Sequence, residues 1–274
     1  MQKQWYKWRL WGYILGFALF YAPLAWFQRG LLWVMGKNYE PTIHNLCFRI
    51  PIEHLLDGKL LGAFSLAAIS TALLLILAIV FGPLFCGRLC PSGALGEYLS
   101  RLLPVKWQIS WGEYLPVAYI RQGLLVGFML APFFGGLLAC AYCNFFVFDL
   151  LLNFWFWGYA ISFTSSLLLT MLLYLLLFGL FTKGGRGFCA FFCPVGALQS
   201  ALHFWGRKVP WFYKLKFRQD KCCGCKICLN NCPMQALSYQ QDKIVYNSQL
   251  CILCGDCTKH CPTKAISYGR GKEK

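Results

Sequence analysis

The sequence predicts an all-α membrane bundle of four transmembrane helices, built as two parallel repeats, joined to a small α+β domain that gathers two four-cysteine sites. Three observations predict it. Four long stretches are free of charge in a chain that is 58% hydrophobic and only 13% charged. The motif C-x3-C-P-x-G-A-L occurs twice within the apolar part. Eight of the 16 cysteines fall near the C-terminus in two matched runs, each closed by a proline.

The apolar elements follow from length. A helix needs roughly 20 apolar residues to cross the hydrocarbon core, and the uncharged stretches place spans at 10–33, 62–85, 115–138 and 160–182. The first is no signal peptide: it is long, rich in Trp and Tyr, interrupted by Pro23, and lacks a small-residue cleavage site. The stretch 139–158 reads alternatively as a membrane-surface helix, because Asn144, Asp149 and Asn153 break its apolar run.

A net charge of +16 invites a nucleic-acid reading, but the charges are distributed as they are in a membrane protein. Lys3, Lys7 and Arg9 precede the first span, Arg88, Arg101 and Lys106 follow the second, and a basic run follows the fourth. The positive-inside bias puts both termini, and the domain at the C-terminal end, on the cytoplasmic side of a bacterial inner membrane. Residues 1–206 then form the membrane domain, 207–218 a basic linker, and 219–270 the cysteine-rich domain. The run 207–221 is expected to rest on anionic headgroups or to meet an acidic partner, the lipid being the blander reading.

The repeat is explicit. FCGRLCPSGAL at 85–95 and FCAFFCPVGAL at 188–198 place Cys189 and Cys193 each 103 positions after Cys86 and Cys90. Cysteines at i and i+4 share a helix face, and the proline ends or restarts the helix. Two parallel units bring Cys86, Cys90, Cys189 and Cys193 together as four thiols that can clamp a metal or iron–sulfur centre, or form exchangeable disulfides. Against this stands the reading of each cysteine as a small buried hydrophobe. In the outer loops, Cys47, Cys140 and Cys143 offer a disulfide or a second centre, with His44 and His54 nearby.

Cys222, Cys225, Cys228 and Cys232-Pro233, then Cys251, Cys254, Cys257 and Cys261-Pro262, both read C-x2-C-x2-C-x3-C-P. This is the ligand run of a bacterial two-cluster ferredoxin, in which three cysteines hold one 4Fe–4S cubane and the fourth reaches the other. The expected sets are Cys222, Cys225, Cys228 and Cys261 for one cluster, and Cys251, Cys254, Cys257 and Cys232 for the other. A zinc site does not account for two matched quartets with terminal prolines, and Cys223 is a spare. Each half is expected to run from cluster loop to a short helix after the proline, then a strand, with 242–250 adding a strand and turn. So small a domain barely stabilises itself, and Ile227, Leu237, Ile252 and Ile266 are expected to pack around the clusters.

Together, the four spans, the Cys86-Cys90-Pro91 and Cys189-Cys193-Pro194 motifs and the two quartets resemble the NapH-type membrane quinol dehydrogenase subunits. These are 4Fe–4S polyferredoxins that include MauN and, more distantly, NosR and CcoG. The resemblance covers nearly the whole chain and implies an oxidoreductase component that moves electrons from the quinone pool to a terminal oxidoreductase. The transfer would run through other iron–sulfur or cytochrome subunits. The implied cofactors are two 4Fe–4S clusters, with room for a further iron–sulfur or metal centre, and quinol is the substrate. Cys47, Cys140 and Cys143 are not part of that pattern. The alternative, implied by the CcoG-like relatives, is a maturation reductase that supplies electrons to a metal or thiol centre under assembly. A quinone pocket needs apolar walls and a few proton-handling groups. Arg121, the only charge well inside a span, is the first candidate, although it can also be read as snorkelling to the headgroups. Glu53 and His54 in the outer loop are the second.

Overall fold

The computed structural model describes residues 2–21, 23–41, 43–47, 49–56, 58, 65–134, 143–158, 164–241 and 243–271. Helices α1 (Gln2–Phe20), α2 (Trp26–Val34), α3 (Arg49–Leu56) and α4 (Leu66–Phe81) precede the first C-x3-C-P segment. After it come α5 (Pro91–Ser100), α6 (Trp111–Tyr114), α7 (Val117–Leu130), α8 (Asn144–Trp157) and α9 (Ser165–Met171). Helix α9 continues as a π-helix over Leu172–Leu180, and α10 (Gly187–Phe191) and α11 (Pro194–Gly206) carry the second motif.

The expected first span is two helices. Pro23, which cannot donate to a helix, lies in the break between Phe20 and Trp26, and Ala25 there is left-handed at φ 43°. Among the described residues one helical stretch, Val117–Phe134, is long and apolar enough to cross a membrane by itself. Arg9–Phe20, Leu66–Phe81, Asn144–Trp157 and Ser165–Leu180 are shorter apolar helices, while 62–64, 135–138 and 160–163 lie outside the described residues. Helix α4 has clear ends. The Ser65 side chain accepts the Ala68 N–H at its start, and Gly82 at φ 79° stops it, in a region where a side chain is costly.

The cysteine pairs do not share a helix face. Cys86 lies in a π-turn over Phe85–Leu89, whereas Cys90 is the extended residue that caps α5, with Pro91 at its first turn. Cys189 lies within α10, and Cys193 caps α11 in the same way. Proline suits the first helical position because its missing N–H would be unpaired there. Each motif is thus a corner between two helices.

The C-terminal lobe has two antiparallel pairs. Strand β1 (Lys214–Phe217) pairs with β4 (Ile266–Gly269), and β2 (Leu237–Gln240) pairs with β3 (Lys243–Tyr246). The lobe therefore begins inside the stretch expected to be a linker, because Lys-Leu-Lys-Phe alternates as a strand does and buries Leu215. The short helices α12 (Ile227–Asn230) and α13 (Asp256–Lys259) precede the fourth cysteine of each run instead of following its proline. The two halves repeat their backbone as well as their cysteines. Gly224, Lys226 and Gln235 have positive φ, and so do Leu253, Gly255 and Lys264, each twenty-nine positions on. Leu237, Ile252 and Ile266 are buried, but Ile227 is exposed.

The lobe sits directly on the corners. The Tyr268 hydroxyl donates to the Phe81 carbonyl at 2.8 Å, and the Ser200 hydroxyl donates to the Cys251 carbonyl at 3.4 Å. Tyr213 stacks between Phe81 and Tyr268, with ring centroids 5.2 and 5.4 Å away. Beneath them lies a buried ionic cluster. Arg9 Nη1 donates to Glu97 Oε1 at 2.6 Å and to Asp256 Oδ2 at 2.9 Å. Arg186 Nε and Arg101 Nη2 also donate to the Glu97 carboxylate, at 3.1 and 2.9 Å. Burial raises the Asp256 pKa to about 6, against the opposing pull of Arg9. Such a cluster brings little net stability over an apolar one, but it tolerates no missing partner. It ties α1, α5, the segment before α10 and α13 into one unit.

Candidate metal centres

Two cavities in the lobe are each bounded by four cysteines of the two runs, with Cys223 as a fifth on the first. Cys222, Cys225, Cys228 and Cys261 line a cavity of about 350 Å³ together with Tyr239, Ile244 and Ile266. Cys251, Cys254, Cys257 and Cys232 line one of about 370 Å³ with Leu237 and Ile252. Each wall is three cysteines of one run plus the fourth of the other, because the C-terminal cysteine of each run lies beyond a helix that points it across. Backbone N–H groups donate to the sulfurs: Ala236 to Cys232 at 3.3 Å, Ala265 to Cys261 at 3.2 Å and Leu253 to Cys251 at 3.4 Å. Such bonds stabilise thiolates and set cluster potentials. Burial pushes the Cys232 thiol up to about 12 and also raises Cys254 and Cys251. Left to themselves these thiols stay protonated, so a bound metal group must displace protons. Among the described residues no three His, Cys, Asp or Glu close around a single ion. The thiols surround a volume instead, which is what a cubane fills.

The two cavities differ in exposure. Cys251 and Cys257 are buried, whereas Cys223 and Cys225 are exposed. Cys223, in the position that Ile252 holds in the second half, lies on the wall of the first cavity.

The four C-x3-C-P thiols converge between the repeats. Cys86, Cys90 and Cys193 are buried and Cys189 is half-buried. Gly93 and Gly196 occupy matching positions in the two motifs, and each abuts the first cysteine of the other repeat. A Cβ on Gly93 would stand 3.3 Å from Cys189 Sγ, and one on Gly196 would stand 3.7 Å from Cys86 Sγ. A side chain at either place would fill the space between the sulfurs. An arginine attends each glycine. Arg186 Nη1, which donates to the Cys86 carbonyl at 3.0 Å, crowds Gly93. Arg121 Nη2 would lie 3.0 Å from a Gly196 Cβ.

Arg121 is fully buried. Its Nη1 donates to the Gln249 carbonyl of the lobe at 2.5 Å, while among the described residues Nε and Nη2 have no hydrogen-bond partner, and neither does Gln199 Nε2. Gln199 Oε1 accepts from Cys86 Sγ at 3.5 Å. A buried guanidinium with unmade bonds costs several kcal/mol, so these donors fit an anionic occupant among the thiols. A thiolate-held iron–sulfur centre meets that demand. Replacing Arg121 with Met is then expected to lower the midpoint potential of that centre by roughly 60 mV or more, a tenfold change for one electron. Lys should retain most of it. Redox titration followed by electron paramagnetic resonance checks this, and an unchanged potential would sink the assignment.

The remaining sequence candidates lie elsewhere. Glu53 is ion-paired to Arg49 at 2.7 Å on α3, which also carries His54. Cys47 and Cys143 line one apolar cavity of about 530 Å³ with Phe85, Phe128, Pro194 and Val195. Cys140 and the His44 side chain lie outside the described residues. Sequence reasoning missed Arg186, Gln199, Gly93 and Gly196. The signal for the glycines was present, since both belong to the repeated P-x-G-A-L.

Residues 63–110 and 166–211 match the 4Fe-4S binding domain family, and residues 221–266 match the 4Fe-4S dicluster domain family. Two uncharacterised proteins of Methanocaldococcus jannaschii are similar. One is 27% identical over 199 residues, covering 69% of this chain and 74% of the relative; the other is 28% identical over 196 residues, covering 69% and 67%. No solved structure matches the chain. The first family match takes in both corners with their four thiols, and the second takes in both quartets: the chain is a ferredoxin-type iron–sulfur protein.

Proposed function

We propose that the chain is a membrane-bound electron-transfer protein, the quinol-oxidising component that passes electrons from the quinone pool to a partner oxidoreductase. Cys222, Cys225, Cys228 and Cys261 would hold one 4Fe–4S cluster, Cys251, Cys254, Cys257 and Cys232 the second, and the four corner thiols a third. Such groups supply one-electron exchange at a potential set by their surroundings. The observation that carries the reading is the seat of the lobe on the first corner. A Cβ on Gly87, the neighbour of Cys86, would collide with the Ile252 carbonyl and stand 2.9 Å from the Cys254 N–H. Glycine there lets the backbone beside Cys86 pack directly against the backbone of the second quartet.

Exposed apolar helix faces favour the four-span arrangement, and the lobe's place on the cytoplasmic side rests on the charge bias of the sequence. Apolar side chains such as Ile76 and Leu77 on α4, Leu168 on α9 and Leu172 on its π-helical continuation are exposed, as on a face turned to lipid. Aromatic residues stand exposed at helix ends: Tyr119 and Phe134 on the Val117–Phe134 stretch, Trp33 on α2, Trp155 on α8 and Trp205 on α11. Aromatic belts mark the two membrane interfaces. Lys208 lies 4.2 Å over the Trp205 ring, a pairing suited to headgroups.

For the quinone, the apolar cavity lined by Phe85, Phe128 and Val195 suits the ring better than a site at Arg121 or at Glu53 and His54. Its walls Phe85, Pro194 and Val195 adjoin Cys86 and Cys193, so a ring held there lies beside the corner thiols. The test is a redox titration of the purified protein with and without a menaquinol analogue. Clusters reduced by the quinol support the reading, and Phe128→Trp, which fills the cavity, should slow that reduction at least tenfold. Clusters indifferent to quinol would remove it. One observation favours the second reading, a maturation reductase: Cys47 and Cys143 line the same cavity, and sulfur ligands suit a thiol or soft-metal recipient. Reduction of such a recipient without quinone would favour it.

A further inference from the structure

We propose that the face of the lobe over Cys223, Cys225 and Cys261 is the docking surface for an acidic one-electron carrier protein. The inference rests on the reading that the first quartet holds a cluster, and adds where a soluble partner meets it. The two quartets are not equivalent. The second lies against the corners, with Cys251 and Cys257 buried. The first opens outward: Cys223, Cys225, Lys226, Pro262 and Thr263 are exposed around its rim, and the exposed Ile227 adds an apolar centre.

Charge then selects the partner. Lys226 lines the first cavity, and Lys221, Lys243 and Lys264 are each one residue from its lining and exposed. In the sequence, Asp220 and Asp242 are the acidic residues beside these four lysines. Lys226 is held in place, its Nζ 4.7 Å over the Tyr239 ring and its own φ at 56°. An apolar centre ringed by one sign of charge is how a transient redox partner is steered and oriented. Anionic lipid is the competing occupant of a basic surface. It is disfavoured here because the exposed Trp205, Lys208 and Trp211, the groups that suit headgroups, cluster at the end of α11, whereas the rim of the first quartet offers lysines without indole. In the exchange one electron passes between the carrier and the group held by Cys222, Cys225, Cys228 and Cys261. One is oxidised as the other is reduced, and no bond or proton moves.

The test uses the full chain in detergent and an acidic two-cluster bacterial ferredoxin as the probe, with affinity measured by surface plasmon resonance at low and high salt. Lys226→Glu with Lys264→Glu should weaken binding at least tenfold at low salt and flatten the salt dependence, whereas Lys208→Glu should leave it unchanged. Vesicles of phosphatidylglycerol are the second probe. Loss of vesicle binding by the double variant, with carrier binding intact, would assign the face to lipid and overturn the proposal. Carrier binding indifferent to charge reversal in iron-replete protein would overturn the docking surface alone. Iron missing from the first quartet in wild type would overturn the reading beneath it.

Discussion

Glu97→Gln is expected to unfasten the C-terminal lobe and cost about 3–5 kcal/mol, the usual consequence of removing one partner from a buried ion pair. The Glu97 carboxylate is almost fully buried and receives Arg9, Arg101 and Arg186. Gln keeps the shape but removes the charge that three guanidiniums share, leaving Asp256 alone to balance them. Arg9 is the joint between α1 and the lobe, so its release affects distant parts of the chain together. Thermal unfolding of the variant should begin well below that of wild type, and limited proteolysis should free the lobe starting near Lys214. Glu97→Asp, which keeps the charge, should recover part of the loss. A Glu97→Gln protein as stable and as protease-resistant as wild type would show that the cluster does not hold the lobe.

Cys86→Ala combined with Cys189→Ala is the second large effect. With three cubanes the chain carries about twelve irons, and the double variant should fall to about eight. The spectroscopic signals of the two lobe clusters should persist while quinol-dependent reduction is abolished. The alternative view of these thiols as small buried hydrophobes predicts unchanged iron and only a modest packing loss. Iron analysis of anaerobically purified protein separates the two directly, and full iron with full activity would decide for packing.

Much of the site was legible because it is written locally. The two proline-closed runs specify their own turns, and the crossed walls of the lobe cavities are those that the two-cluster ferredoxin run implies. The duplicated C-x3-C-P motif foretold four convergent thiols. Spacing did not reveal that each pair straddles a corner, because a proline after a cysteine reads equally as a helix end or a helix start. Nor did hydropathy show the break around Ala25 or the strand hidden in Lys214–Phe217, since apolar content is blind to where backbone hydrogen bonds stop. The ionic cluster was illegible for a different reason. Arg9, Glu97, Arg186 and Asp256 are far apart in the chain, and only their meeting in three dimensions gives them a role. Arg121 stood out as a buried charge, but what it faces, thiols and a carbonyl of the lobe, depends on how the lobe is seated.

That seating has a kinetic meaning. Many electron carriers with a small cofactor-bearing lobe on a flexible tether alternate between a loading and an unloading position, and hinge motions of that kind take microseconds to milliseconds. Here strand β1 follows within a few residues of α11, Tyr213 donates its N–H to the Val80 carbonyl at 2.9 Å, and Gln235 bridges the Gly112 N–H and the Lys183 carbonyl. The lobe has no slack with which to travel. On the proposed reading, electrons passing between corner and lobe would cross a fixed gap, and raising solvent viscosity should leave their rate untouched.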